Sequence, residues 1–175
     1  MSTITQIKKG DQDAFSDLID EYKLQIYKTA KAILKDEDDV SDAIQDTCLS
    51  IYKNIGNLKN EKYFKTWVIR ITINKCYDII AKRKLNSEKN EKIKLDIIEK
   101  SANFENSILD KIDLEKALNL LDEDLRLITV LYYYNDLSMS EISDILHIPK
   151  GTVKSRVFRA REKLYDILSN KGGEY

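Results

Sequence analysis

The residues with the clearest capacity for recognition chemistry lie between 138 and 164, in SMSEISDILHIPKGTVKSRVFRAREKL. Lys154, Ser155, Phe158 and Arg159 share one side of a helical register, a surface of donors and one aromatic ring that can face a DNA groove. On the opposite side Val153, Val157, Ala160 and Leu164 recur at helical spacing and form an apolar stripe. Ile142, Ile145 and Leu146 give the preceding short helix a matching face, and Pro149 fits a turn or a first helical position but not a helix interior. Two short helices meeting at a tight turn, the second one basic, have the layout of a helix-turn-helix whose second helix enters the major groove. A charge run is usually just a solvated face, but here the basic surface, the turn and the short apolar helix coincide.

A second group of candidates lies in WVIRITINKCYDIIAKRK, residues 67–84. Trp67, Ile71, Asn74 and Asp78 fall along one side of a helix. Asn74 sits mid-helix where its propensity is poor, and its amide can read a base edge. Taken alone, Asn74 and Asp78 are better explained as groups satisfying buried partners. The basic run Lys82–Lys84 and the aromatic turn at Tyr63 and Phe64 shift the balance, because bases stack on aromatic faces and single strands follow cationic grooves. No catalytic constellation accompanies them. His147 is the only histidine, and Cys48 and Cys76 stand apart without a CxxC, so reduced structural cysteines are expected and no metal or cofactor.

The elements that must position these groups are helical. The chain has 175 residues, 42% of them hydrophobic and 34% charged, with one Pro and five Gly. That composition predicts an all-α protein with long helices and few turns. Apolar periodicity predicts a helix at 11–34, a second from Val40 to Ile55 ended by Gly56 as a C-cap, and a third from Tyr63 to Lys84. The third is apolar on more than one face and should be the central helix of its bundle. From Leu85 to Phe104 the composition turns to Lys, Glu, Asn and Ser, which reads as a flexible linker able to reach about 70 Å. A second bundle follows, with helices at 105–121, 123–134, 138–146 and 149–168.

Net charge is −1, but its distribution is uneven. DEDDVSDAIQD at 36–46 carries six carboxylates and no cation, whereas 63–84 and 150–163 are basic. One acidic and two basic helices imply two kinds of partner. No apolar run is long enough to span a bilayer and the N-terminus lacks a signal-peptide core, so a cytoplasmic protein is expected, with no membrane insertion.

Four segments in order, FSDLIDEYKLQIYKTA, DEDDVSDAIQDTCLSIYKNI, FKTWVIRITINKCYDIIAKRK and IPKGTVKSRVFRAREKL, carry a family resemblance. The chain resembles the extracytoplasmic-function (group 4) sigma factors of the sigma-70 family over nearly its whole length. The resemblance implies a region 2 domain at 1–84, a linker at 85–104 and a region 4 domain at 105–175. It implies that Asp38, Asp39, Asp42, Gln45, Asp46 and Ile51 dock on core RNA polymerase. Tyr63, Arg70, Asn74, Tyr77, Lys82 and Arg83 would serve the melted −10 element. Thr152, Lys154, Ser155, Phe158 and Arg159 would read the duplex −35 element, while Lys150 and Arg156 hold phosphates. Position 154 is Lys where Arg is common, and Lys lacks the bidentate fork. The family further implies a non-catalytic specificity subunit in an envelope or stress response, held by an anti-sigma factor. Two other classes remain on the residues alone. A helix-turn-helix regulator binding operators as a dimer explains 138–164 but not the second basic helix. An adaptor explains neither basic helix.

Overall fold

In a computed structural model of the protein, residues 3–90 and 114–170 are described, and among them there are helices and turns but no strand. Most of the expected linker, from 91 on, and the start of the expected helix at 105 lie outside the described residues.

The first bundle is built from α1 (Thr3–Lys8), α2 (Gln12–Ile33), α3 (Glu37–Asn54) and α4 (Phe64–Asn90). The short α1 is not foretold by the longer periodic stretch that follows it, and buries Ile4 and Ile7. Gly10, at φ 93°, lets the chain reverse into α2, where the Asp11 carboxylate accepts from the Ala14 N–H at 3.0 Å. At α3 the Asp36 carboxylate accepts from the Asp38 N–H at 2.9 Å, so part of the acidic run caps the positive end of its own helix.

Two sequence expectations are corrected here. Gly56 is not a left-handed C-cap; it lies within a 3₁₀ turn, Ile55–Asn57, and has no positive φ. Continuing the right-handed turn keeps Ile55 in the core, which a left-handed residue would redirect. The third helix does not stop at Lys84 but runs to Asn90, because LNSEKN contains neither Pro nor Gly to end it. Its central position is as expected: Val68, Ile69, Ile73 and Cys76 are buried, and α4 packs on both α2 and α3.

The second bundle comprises α5 (Leu114–Asn119), α6 (Glu123–Thr129), α7 (Met139–Leu146) and α8 (Lys150–Asn170). The helix expected at 123–134 changes at Val130 into a π turn, in which the Asn135 N–H reaches the Val130 carbonyl at 3.0 Å. A capping box opens α7: the Ser138 hydroxyl accepts from the Glu141 N–H at 3.2 Å, and the Glu141 carboxylate accepts from the Ser138 N–H at 2.8 Å.

The bundles pack against each other. One buried cluster takes Ala30, Ile33, Val40, Ile69 and Ile73 from the first and Leu127, Ile128, Leu131, Ile142 and Val153 from the second. A second cluster, with Ile26, Ile51, Phe64 and Val68, is internal to the first bundle. Each fully buried Ile or Leu contributes about 1.5–3 kcal/mol.

Candidate nucleic-acid interface

The turn between α7 and α8 is set by His147, in the left-handed conformation at φ 55°. Ser143 then closes it, its hydroxyl donating to the Ile148 carbonyl at 2.6 Å. Pro149 immediately precedes α8, and its carbonyl accepts the Val153 N–H at 3.1 Å. With the helix start fixed, the register of α8 follows. Val153, Val157 and Ala160 are buried, while Lys154, Ser155, Phe158 and Arg159 are exposed on the other side. Phe158 is 51% exposed and has the Arg161 guanidinium 5.8 Å from its ring centre. Lys150 is exposed and Thr152 half-buried. Arg156 is turned away from this face and pairs with Asp124 of α6 at 2.8 Å.

In α4, Trp67, Ile71, Asn74 and Asp78 line one open cleft of about 710 Å³. Asn74 and Asp78 are exposed there, so the explanation by buried partners does not hold for them. Asn54 and Asn57, from the end of α3 and the turn after it, form the facing wall. Three amides and an indole around a cleft are groups able to hydrogen-bond a polar edge and to stack against a planar ring. Asn54 and Asn57 were missed in the sequence; the Asn-rich turn NIGNLKN was the available signal. Tyr77 reaches this cleft and also faces the second bundle. Its hydroxyl is pushed above the ordinary tyrosine range by burial, then by the carboxylates of Glu123 and Asp124. Tyr63 and Arg70 lie elsewhere, in a smaller groove against Glu141, Asp144 and Ile145 of α7, where Arg70 donates to the Asp144 carbonyl at 3.2 Å.

The acidic candidates divide. Asp38, Asp42 and Gln45 are exposed and Asp46 is half-exposed. Asp42, Gln45 and Asp46 share a groove with Lys82 and Arg83, so residues expected to serve two different partners sit side by side. Asp39 is largely buried and pairs with Arg83 at 2.7 Å. Ile51 is corrected: at 0% exposure it is a core residue and cannot touch a docked protein. It continues the buried stripe of Ala43 and Thr47, one turn apart, and so points inward. Leu49, 55% exposed beside Gln45 and Asp46, is an apolar residue that α3 does present, and Tyr52 is a second. Their place off the buried stripe was the signal that could have found them. No helix among the described residues is long and apolar enough to cross a membrane.

The chain carries a helix-turn-helix with an outward basic face and, on a central helix, an amide-lined cleft, and comparison with known proteins shows its family. Residues 18–85 match sigma-70 region 2 and residues 111–164 match sigma-70 region 4. The chain is 36% identical over 174 residues to the ECF RNA polymerase sigma factor SigW of Bacillus subtilis, covering 92% of each chain. It is 30% identical over 172 residues to the ECF sigma-E factor of Escherichia coli, covering 92% of this chain and 90% of that one. Among solved structures, the sigma factor RpoE of Bartonella quintana, determined with the anti-sigma factor NepR, is 26% identical with a TM-score of 0.67 over 87% of this chain and 97% of that one. CnrH, determined with the cytosolic domain of CnrY, shares the fold at a TM-score of 0.65 and 23% identity over 96% of each chain. The chain belongs to the extracytoplasmic-function sigma factors of the sigma-70 family. It is an alternative sigma factor that directs transcription initiation.

Proposed function

We propose that this chain is a group 4 sigma factor that acts in the cytoplasm as a non-catalytic specificity subunit of RNA polymerase. The observation that carries the reading of its sites is the two-sided register of α8, with Val153 and Val157 buried and Lys154, Ser155, Phe158 and Arg159 exposed. In this reading 1–84 is the region 2 domain, 85–104 the linker and 105–175 the region 4 domain. The exposed face of α8 reads the −35 duplex, with Thr152 at its edge and Lys150 and Arg156 on phosphates. The exposed part of α3, comprising Asp38, Asp42, Gln45, Asp46 and the apolar Leu49, docks on core polymerase, where carboxylates steer association with a basic surface. Asn74, Trp67 and Tyr77 hold a base extruded from the −10 element, and Tyr63, Arg70, Lys82 and Arg83 track the strand. Extruding a base costs a few kcal/mol, and stacking offsets about 1–3 kcal/mol of that per base.

The similarity to a sigma factor determined with an anti-sigma factor supports the same class of inhibitor here; an envelope or stress response is what the family resemblance implies. Run-off transcription tests the assignment. Core polymerase with this chain should initiate at defined start sites where core alone does not. Tight dimeric binding to free duplex, with no stimulation of core polymerase, would instead identify an operator-binding regulator.

A further inference from the structure

The short α1 has no part in the sites described above, yet its contacts converge on one of them. Ile4 and Ile7 are buried in the cluster that also holds Ile51, Ile55 and Phe64, and α1 packs on the 3₁₀ turn Ile55–Asn57. From the last turn of α1, Lys8 donates from Nζ to the Leu58 carbonyl at 2.8 Å, across 50 positions of sequence. The ends of the connection between α3 and α4 are pinned by local bonds. At one end Asn54 donates from Nδ2 to the Ser50 carbonyl at 2.9 Å. At the other the Asn60 side chain accepts from the Lys62 N–H at 3.0 Å and opens a second 3₁₀ turn, Glu61–Tyr63. Between them the Leu58 N–H reaches the Ile55 carbonyl at 3.2 Å, and Leu58 leaves the turn extended, with ψ 111°. Lys8 therefore ties the middle of this connection to a separate helix.

That tie bears on the amide-lined cleft, because Asn57, Leu58 and Lys59 are consecutive lining residues on the wall facing Trp67 and Asn74. A peptide unit is planar, so holding the Leu58 carbonyl holds the Leu58–Lys59 plane and the course of the chain on either side of it. Surface segments held by short-range bonds open locally at little cost. A recognition wall that opens in this way has to be ordered again when a ligand enters, and that ordering subtracts from affinity and selectivity. A long-range tie removes part of that loss before the ligand arrives.

We propose that Lys8 is a positioning residue: with α1 anchored by Ile4 and Ile7, it holds through the Leu58 carbonyl the Asn57 wall of the cleft in the arrangement that receives a base. The inference rests on the reading of the cleft as the −10 site and deepens it, adding an element that does not itself touch the ligand.

The test has two arms. In the free full-length chain, NMR follows amide exchange in Lys8→Met, which keeps the reach of the side chain and removes the donor, and in Lys8→Arg, which keeps a donor. Lys8→Met should speed exchange at the Leu58 amide about fivefold and leave the buried amides of α2 unchanged, while Lys8→Arg should match wild type. In the second arm, holoenzyme made from core polymerase and each variant binds two fluorescent single-stranded DNAs. One carries the downstream motif selected by wild-type holoenzyme, and the other has that motif scrambled. Lys8→Met should lower the preference for the motif about fivefold. In the Asn57→Ala background it should add little, because it acts through that wall. Equal weakening on both DNAs, or an undiminished effect in the Asn57→Ala background, would make Lys8 a phosphate contact and overturn the proposal. So would wild-type exchange at Leu58 in Lys8→Met, exchange raised throughout the chain, or a Lys8→Arg variant that behaves as Lys8→Met does. A wild-type holoenzyme that binds both DNAs equally would overturn the reading of the cleft, and the base-receiving role with it, while exchange at Leu58 would still show whether Lys8 holds the turn.

Discussion

Two basic helices, α8 and α4, carry the proposed promoter contacts, and they differ in how far those contacts are separable from the fold. In α8 the cations at the centre of the outward face, Lys154 and Arg159, are exposed and make no ion pair with another described residue. In α4, Arg83 pairs with Asp39, Lys75 with Asp78 at 3.8 Å, and Arg70 donates to a carbonyl of α7. The difference is one of position. α8, packed on α5, α6 and α7, buries one stripe of Val153, Val157 and Ala160, whereas α4, packed on α2, α3 and α7, buries residues on more than one face. Polar groups on a central helix therefore support the fold as well as any ligand. Recognition and stability should separate cleanly in α8 and only partly in α4.

The largest effect expected from this contrast is on the α8 face. Replacing Lys154 and Arg159 together with Ala removes two base-edge contacts of about 1–3 kcal/mol each, a loss of roughly thirtyfold or more in −35-dependent transcription. The melting transition should barely move, since exposed substitutions shift stability by about 0.5 kcal/mol or less. A comparable loss of stability would break the comparison. Next in size, Tyr63→Ala should slow open-complex formation about tenfold through lost stacking while leaving −35 duplex binding unchanged, which footprinting on matched templates can read. Arg83→Ala should have a mixed effect. It leaves the largely buried Asp39 carboxylate without its closest partner and should cost about 1 kcal/mol of stability in denaturant unfolding, beyond any effect on promoter melting.

The smallest effect concerns the cysteines. Burial pushes the Cys76 thiol up to about 12, so the folded chain should alkylate at Cys48 well before Cys76 at pH 8, as mass spectrometry would show. Because the folded pKa lies above the unfolded value near 9, the contribution of Cys76 to stability is complete below pH 9 and declines as pH rises toward 12.

The same contrast explains what could be read in advance. The α8 face was legible because a helix register depends only on local spacing once the helix start is known, and Pro149 marked that start. The line of Trp67, Ile71, Asn74 and Asp78 was legible for the same reason, and all four do share one cleft. Contacts that join distant parts of the chain were not legible. Asn135 meets Thr29 across 106 positions and Arg126 meets Ala32 across 94, and neither sequence neighbourhood announces the other. Ile51 shows a further limit: an apolar residue in an acidic helix can belong to the core or to a docking face. Only its register against Ala43 and Thr47 decided for the core, leaving Leu49 and Tyr52 on the outside.

The most direct test of the central claim, a two-part promoter reader, is to sequence transcripts initiated by core polymerase and this chain on a library randomised at both elements. Two enriched motifs about two duplex turns apart are predicted. Substitution of Lys154 and Arg159 should alter only the upstream motif, and Asn74→Ala only the downstream one. A single motif, or one that changes in the same way with either set of substitutions, would contradict the account.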